Sequence, residues 1–180
     1  MRMASQRGWR TGENTMAHFG TNKLDRGDPF PEIGLFLTDE KQLTIPDQFT
    51  DAWSVIIIYR GNWCPHCRRQ LTDFQDHVEE FRKQHIHLVA ASAETLEKAR
   101  ETREMLNLTF SVAYGLVPRE ISILTGAYYN REKQYLNACS FIIAPGAHVE
   151  LAVYSSAGVG RLTAREVLEQ IDHVMKHGRQ

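Results

Sequence analysis

The stretch VIIIYRGNWCPHCRRQL, residues Val55 to Leu71, decides the fold and carries the most reactive side chains of the chain. Its first half is a run of β-branched residues without polar alternation, which is typical of a strand covered by helices on both faces. From Cys64 to about Phe81, apolar residues recur every three or four positions and form one helical stripe. The two cysteines, spaced as CxxC, are therefore predicted to lie where a buried strand turns into a helix.

The segments around this stretch continue an alternation of strands and helices. Apolar patterns predict strands over residues 33–37, 54–59, 86–91 and 110–113, and helices over 64–81, 94–106 and 119–125. Buried strands that alternate with helices indicate parallel strands joined by right-handed crossovers. We expect residues 54–59 to form the centre of the sheet.

The C-terminal part predicts a hairpin and a closing helix. Residues 141–144 and 148–154 flank Pro145 and Gly146, a pair that suits the central positions of a type II turn. An antiparallel hairpin added to parallel strands makes the sheet mixed. Thr163 followed three residues later by Glu166 is a capping-box pattern that begins the last helix. The predicted buried face of that helix comprises Val167, Leu168, Ile171, Val174 and Met175.

The chain has 180 residues, of which 42% are hydrophobic, and this is enough for one core and one domain. Residues 1–22 are rich in Gly, Ser, Thr, Asn and Arg without periodicity, so we expect a mobile N-terminal tail. Residues 23–180 then form the folded redox domain.

Charge and hydropathy exclude several partners. The 21 basic and 22 acidic residues nearly cancel, so no strong field attracts nucleic acid or an anionic membrane. No apolar run approaches the ~18 residues that span a bilayer, and the N-terminus lacks the apolar segment of a secretory signal. We therefore expect a soluble, cytoplasmic protein whose partners are small molecules or proteins.

Cys64 and Cys67 are the candidate catalytic residues. Unpaired amides at a helix N-terminus favour negative charge, so a cysteine there forms a thiolate below the usual pKa of ~8.5, and the thiolate is the nucleophile. Arg60, Arg68 and Arg69 are close in sequence and are expected to add positive potential. We expect Cys64 to be the exposed member of the pair.

Three neighbours are expected to modulate the thiols. Pro65 fits the first helical turn, where its missing N–H costs nothing. His66, between the cysteines, is either a donor to a thiolate or a solvated turn residue, and Trp63 is expected to shield the thiols and pack.

A zinc site is the main structural alternative for the CxxC. It needs two more ligands, and the nearby candidates are His77, His85 and His87, with Cys139 remote in sequence. No second CxxC follows, so redox chemistry is favoured over metal binding, and neither a metal nor an organic cofactor is expected.

With these motifs in view, the chain resembles the peroxiredoxin-like proteins of the thioredoxin-fold superfamily, the alkyl hydroperoxide reductase and thiol-specific antioxidant group. The resemblance runs from about Lys23 to Lys176 and rests on GDPFPEI, RGNWCPHC followed by RRQL, LVAASAE, FIIAPGAHVEL and YSSAGVGRLTAREVLEQI. It implies a thioredoxin-like three-layer α/β/α sandwich with a mixed central sheet. It also implies a hydroperoxide substrate, a thioredoxin- or glutaredoxin-type reductant, and often a homodimer.

The family pattern P-x-x-x-[TS]-x-x-C, laid on this chain, puts Cys67 at the peroxidatic cysteine, Cys64 at the hydroxyl residue and Arg60 at the proline. The arginine that peroxiredoxins hold before the strand at 141–144 is also absent, because residues 137–140 read NACS. A thioredoxin-like interpretation instead makes Cys64 the attacking thiolate and Cys67 the resolving thiol. In that alignment Cys139 lies near the position that faces the pair, as a third redox thiol or a core cysteine.

Three functional hypotheses follow. The first is an antioxidant peroxidase that reduces hydroperoxides through a Cys64/Cys67 dithiol-disulfide cycle. The second is a general thiol-disulfide oxidoreductase acting on protein disulfides, and the third is a non-catalytic CxxC metal-binding domain. The sequence leaves open which cysteine attacks first.

Overall fold

The computed structural model describes residues 16–17 and 23–178. In this part of the chain the strands are β1 (Met16–Ala17), β2 (Ile33–Leu37), β3 (Gln42–Ile45), β4 (Ser54–Ile58), β5 (His87–Ala91), β6 (Ser111–Tyr114), β7 (Tyr129–Asn130), β8 (Tyr135–Leu136), β9 (Cys139–Ala144) and β10 (His148–Tyr154). The α-helices are α1 (Pro65–Asp76), α2 (Val78–Lys83), α3 (Leu96–Met105), α4 (Pro118–Thr125) and α5 (Ala164–His177), and a short 3-10 helix covers Asp47–Phe49.

Seven strands form the main sheet, in the order β10-β9-β4-β5-β6-β2-β3. Strand β4 pairs in parallel with β5 and antiparallel with β9, and β5 pairs in parallel with β6. The prediction of a mixed sheet is therefore confirmed. All five residues of β4 are buried, as a strand covered on both faces requires.

Side chains alternate between two cores, one on each face of the sheet. Val55, Ile57 and the following Tyr59 point into the core that α1, α2 and α5 cover. Ile56 and Ile58 point into the opposite core, which includes Ile121 of α4, Tyr129 of β7 and Leu136 of β8. The alternation follows from the two-residue period of a strand. Helices on both faces of a central sheet make the three-layer α/β/α sandwich that the sequence predicts.

The helix predicted over 64–81 is interrupted. It ends at Asp76 and resumes at Val78, because His77 leaves helical geometry at φ −103° and ψ 8°. The Nδ1 atom of His77 lies 2.8 Å from the carbonyl oxygen of Asp73. The apolar stripe continues across the break, since Val78 and Phe81 are buried.

The closing helix begins with the predicted capping box. Thr163 Oγ1 accepts a hydrogen bond from the Glu166 N–H, and the Glu166 carboxylate accepts one from the Thr163 N–H at 2.8 Å. The prediction that Met175 is buried is wrong, because its side chain is 60% exposed. Leu168, seven residues earlier, lies at the margin of the buried face. Residues seven apart on an α-helix are displaced by about 20° around the helix axis relative to an exact repeat. Met175 therefore turns outward.

Strands β1, β7 and β8 form a second, three-stranded sheet. Met16 pairs with Asn130 and Ala17 with Tyr129. The predicted mobile tail falls mostly on residues 1–15 and 18–22, which lie outside the described residues. Among the helices of residues 16–17 and 23–178, none combines the length and the hydropathy needed to cross a bilayer.

Candidate active site

The CxxC lies at the start of α1, directly after the buried strand β4. The turn between them is tight at Gly61, which has φ +150° and whose absent Cβ would lie 2.4 Å from Trp63 Nε1. Cys64 is the N-cap of α1, where its sulfur accepts a hydrogen bond from the Cys67 N–H at 3.4 Å. Pro65 occupies the first turn, as predicted. The helix N-terminus thus directs amide groups at the Cys64 sulfur.

Both thiols are buried. Cys64 is 1% exposed and Cys67 is 0% exposed, so the expectation that Cys64 is the exposed member is wrong. The sequence argument took account of the helix terminus alone, but in the fold the segment between β10 and α5 passes beside it. That segment contributes Arg161, whose guanidinium contacts both sulfurs.

Arg161 is the main functional residue that sequence reasoning missed. Its Nη2 atom donates to Cys67 Sγ at 3.2 Å and to Cys64 Sγ at 3.8 Å. Its Nη1 atom donates to Ser155 Oγ at 3.2 Å and to the carbonyl oxygen of Gly160 at 2.6 Å, which fixes the guanidinium. The available signal was a lone basic residue just before the capping box, nearly a hundred positions after the CxxC.

Arg60 lies beside the pair, as predicted, and acts through two different groups. Its backbone N–H donates to Cys67 Sγ at 3.4 Å. The proline that the family pattern has at this position carries no N–H and could not make this bond. Its guanidinium donates to Tyr135 Oη at 3.0 Å, and its positive charge acts to lower the pKa of Cys64. The guanidinium also stacks on the rings of Trp63 and Tyr135, with its carbon 4.7 and 5.0 Å from the ring centroids.

The two thiols are electrostatically different. Burial acts to raise the pKa of Cys64, but hydrogen bonds from the Cys67 side chain and N–H, and the charges of Arg161 and Arg60, hold the pKa below its usual value. Burial raises the pKa of Cys67, which also donates its proton to Cys64 in a hydrogen bond. The arrangement therefore favours a thiolate on Cys64 and a protonated Cys67.

The side chains of three predicted modulators have other partners. Arg68 Nη1 lies 3.9 Å from Met105 Sδ, and Arg69 Nη2 lies 2.6 Å from Nδ1 of His66. The predicted hydrogen bond from His66 to a thiolate is not among the contacts of the described residues. Closeness in sequence did not bring these side chains to the sulfurs, because successive helical residues point in different directions. These contacts do not support a direct role of Arg68, Arg69 or His66 at the thiols.

Cys139 lies on the opposite face of the sheet from the CxxC. It pairs in register with Ile58 and belongs to the core that contains Tyr129 and Phe141. Burial raises the pKa of Cys139 far above its usual value. Its neighbour Ser140 points to the other face, where the buried Gln70 donates to its hydroxyl at 3.3 Å. The expectation that Cys139 faces the pair is wrong, by one residue of strand register.

A groove with a volume of about 500 Å³ adjoins the Arg60 side of the site. Trp63, which is 50% exposed, packs edge to face on Tyr135 with ring centroids 5.1 Å apart. Glu94 also lines the groove, and its two carboxylate oxygens accept from the Asn62 N–H at 2.9 and 3.0 Å. Burial raises the pKa of Glu94. Within the described residues, no cluster of three or more His, Cys, Asp or Glu side chains is arranged to hold a metal ion.

The sheet with helices on both faces and the CxxC at the start of α1 define a thioredoxin-fold protein with two adjacent thiols. A profile of the AhpC/TSA family matches residues 26–152, and the chain belongs to that family. The prediction of a peroxiredoxin-like, thioredoxin-fold protein is thereby confirmed.

Curated relatives are distant peroxiredoxins. The chain is 22% identical to a peroxiredoxin of Archaeoglobus fulgidus and 24% identical to one of Thermotoga maritima, each over 140 residues. These matches cover 75% of this chain and 65% of each relative, so the chain spans about two thirds of their length. A provisionally named peroxiredoxin of Mycobacterium tuberculosis is 24% identical over 147 residues, which cover 79% of this chain and 92% of the relative.

Solved structures share the fold at low identity. The peroxidoxin BcpB of Mycobacterium tuberculosis superposes with a TM-score of 0.72 at 15% identity, over 84% of this chain and 98% of that one. AhpC of the same organism gives a TM-score of 0.71 at 20% identity, over 86% and 99% of the two chains. These similarities support the thioredoxin-like three-layer sandwich.

Proposed function

We propose that this protein is a thiol peroxidase in which Cys64 attacks a hydroperoxide and Cys67 resolves the product. The single observation that carries the assignment of roles is the electrostatic asymmetry of the pair. Cys64 receives hydrogen bonds from the helix start and from Cys67, and its pKa is lowered, whereas burial raises the pKa of Cys67. The roles are thus the thioredoxin-like ones, opposite to those that the family pattern assigns by position.

The first step forms a sulfenic acid. The Cys64 thiolate attacks the terminal oxygen of the hydroperoxide, the O–O bond breaks, and the alkoxide or hydroxide leaves as an alcohol or water after taking a proton. Arg161 contacts the Cys64 sulfur and Arg60 acts on it through its charge, so both side chains are placed to stabilise the anion that leaves. The proton that Cys67 shares with Cys64 is the nearest one available to the leaving group.

The second step closes a disulfide. The sulfur of Cys67, deprotonated in the first step, attacks the sulfur of the Cys64 sulfenic acid, the S–S bond forms, the S–O bond breaks, and the hydroxide that leaves takes a proton from solvent to become water. A thioredoxin- or glutaredoxin-type dithiol then reduces the disulfide by thiol-disulfide exchange. The separation of the cysteines by two residues within one helical turn suits this closure, since both sulfurs contact the same Arg161 nitrogen.

Burial of both sulfurs favours a peroxide over a protein disulfide as the oxidising substrate. A protein disulfide must approach the thiolate of the reduced pair in line, and Cys64 is 1% exposed in this dithiol state, whereas the reductant protein acts on the oxidised pair. A small peroxide needs a much smaller opening. The half-exposed Trp63 beside the CxxC is the feature that favours the alternative, a general thiol-disulfide oxidoreductase, because it offers an apolar contact to a partner protein. A cytoplasmic location and a homodimer are further proposals from the sequence and the family.

The test uses two single variants and one matched control. Cys64→Ser is expected to abolish peroxide consumption, whereas Cys67→Ser is expected to react once, to a sulfenic acid that dimedone traps on Cys64, without turnover by a thioredoxin system. Cys139→Ser, on the other face of the sheet, is expected to retain turnover.

Full multi-turnover activity of either single variant with a thioredoxin-type reductant would contradict the cycle. A dimedone adduct on Cys67 in the Cys64→Ser variant would reverse the roles. Faster reduction of insulin disulfides than of peroxide would favour the alternative, and stoichiometric zinc in elemental analysis would favour the metal-binding domain.

A further inference from the structure

We propose that the groove beside Arg60 is a specificity subsite for organic hydroperoxides that carry a carboxylate, with Lys98 and Lys133 as the residues that select the anionic group. This inference rests on the proposed peroxidase function and names the substrate class of the same site. The first observation that supports it is the size of the groove. The groove has a volume of about 500 Å³. Hydrogen peroxide, with two heavy atoms, needs about the space of two water molecules, roughly 60 Å³.

The groove is large enough for an organic molecule and has the walls of a small-molecule site. Sites of this kind commonly have volumes of ~300 to 1,000 Å³, with apolar walls and a few placed polar groups. The rings of Trp63 and Tyr135 and the methyl group of Ala93 supply apolar surface here. An aliphatic chain fits such walls, because burying its methylene groups is favourable by about 0.8 kcal/mol each.

The charges around the groove favour an anion. Lys98 belongs to α3 and Lys133 to the turn between β7 and β8, so two separate elements each contribute a basic residue to the lining of the groove. Lys133 makes no ion pair among the described residues, and Lys98 forms a surface ion pair with Glu101 at 2.7 Å and also interacts with the charge of Glu94. An exposed ion pair of this kind contributes little to stability, so Lys98 can exchange Glu101 for another anion at little cost. The one groove carboxylate, Glu94, is held by the Asn62 N–H.

The groove also leads to the reactive sulfur. Arg60 lines it, and the charge of Arg60 acts on the Cys64 thiol, so the Arg60 end of the groove is the end nearer to the attacking thiol. Gly158 lies against the other side of this guanidinium, since a Cβ on Gly158 would be 3.3 Å from Arg60 Nη1. A substrate bound with its carboxylate at the lysines therefore directs its chain, and the peroxide along it, toward the Arg60 guanidinium. Because Cys64 is buried, the reaction requires the Arg60 side chain to move aside.

The experiment compares three substrates on matched variants. The substrates are a long-chain fatty-acid hydroperoxide, its methyl ester and hydrogen peroxide. The variant Lys98→Gln/Lys133→Gln removes both charges and keeps long side chains, and Lys83→Gln, in the last turn of α2, removes an exposed charge that does not line the groove.

Wild-type enzyme is expected to prefer the acid over its ester in kcat/KM. The double variant should lower kcat/KM for the acid by about tenfold, the effect of one charge-assisted hydrogen bond. Its values for the ester and for hydrogen peroxide should stay within about twofold, as for ordinary surface substitutions. Equal use of acid and ester by the wild type, or an equal loss on all three substrates in the double variant, would overturn the assignment.

A binding measurement separates the subsite from the peroxidase function. Dodecanoate, an unreactive carboxylate, is expected to bind saturably in isothermal titration to the wild type and to Cys64→Ser, and about tenfold more weakly to the double variant. If no hydroperoxide is consumed but this lysine-dependent binding is seen, the peroxidase fails and the anion subsite stands. Dodecanoate binding that is absent, or equal in wild type and double variant, overturns the subsite.

Discussion

Arg161→Gln is the most informative single substitution, because it removes a charge that contacts both thiols while keeping a long polar side chain. The guanidinium nitrogen is 3.8 Å from Cys64 Sγ. At this separation two unit charges interact by about 1 kcal/mol in a water-like dielectric and about 4 kcal/mol at an effective dielectric constant of 20. Since 1.36 kcal/mol corresponds to one pH unit, the midpoint of thiolate formation at Cys64 should rise by about one to three pH units.

The assay follows thiolate formation directly. Ultraviolet thiolate absorbance and the pH dependence of alkylation by iodoacetamide each give the midpoint, and both should shift upward in Arg161→Gln. The rate with peroxide near neutral pH should fall about tenfold or more, because only the thiolate reacts.

Arg68→Gln is the matched control for this experiment. Its guanidinium is near Met105 and not the sulfurs, so its midpoint should equal that of the wild type. An unchanged midpoint in Arg161→Gln, or an equal shift in Arg68→Gln, would refute the electrostatic account of the site.

Two further predictions concern stability. Above pH ~8.5 the Cys139 thiol ionises in the unfolded chain but stays protonated in the fold, because burial raises its pKa, so the unfolded state binds fewer protons and stability falls with pH. Cys139→Ala should make the decline of the unfolding free energy with pH shallower by about 1.4 kcal/mol per pH unit. Urea unfolding under reducing conditions at several pH values measures this slope, and an unchanged slope would contradict the buried neutral thiol. Thr163→Ala should lower the free energy of unfolding by about 1 kcal/mol through loss of the α5 cap, whereas exposed Thr72→Ala should not, and equal effects would argue against the capping box.

Local sequence patterns were sufficient to predict the elements whose structure depends on residues close together in the sequence. The strand at 54–58, the cysteines at a helix start and the Thr163/Glu166 capping box are set by residues within one or two turns of each other. The hairpin around Pro145 and Gly146 is of the same kind, since Gly146 has φ +85° and the Ala147 N–H bonds to the Ala144 carbonyl at 3.1 Å. Strands β7 and β8 were not predicted, because two residues each carry no measurable period.

The chemistry of the site depended on contacts that no local pattern contains. The sequence by itself determined that two thiols lie at the N-terminus of a helix that follows a buried strand, because hydrophobic period and N-cap preference act over a few residues. Only the tertiary structure decided that Arg161 and Arg60, and not Arg68 or His66, supply charge to Cys64. It also decided that both thiols are buried and that Cys139 faces away. The reason is physical: Coulomb interactions act between atoms close in space, and the packing of α5 against the sheet sets those distances.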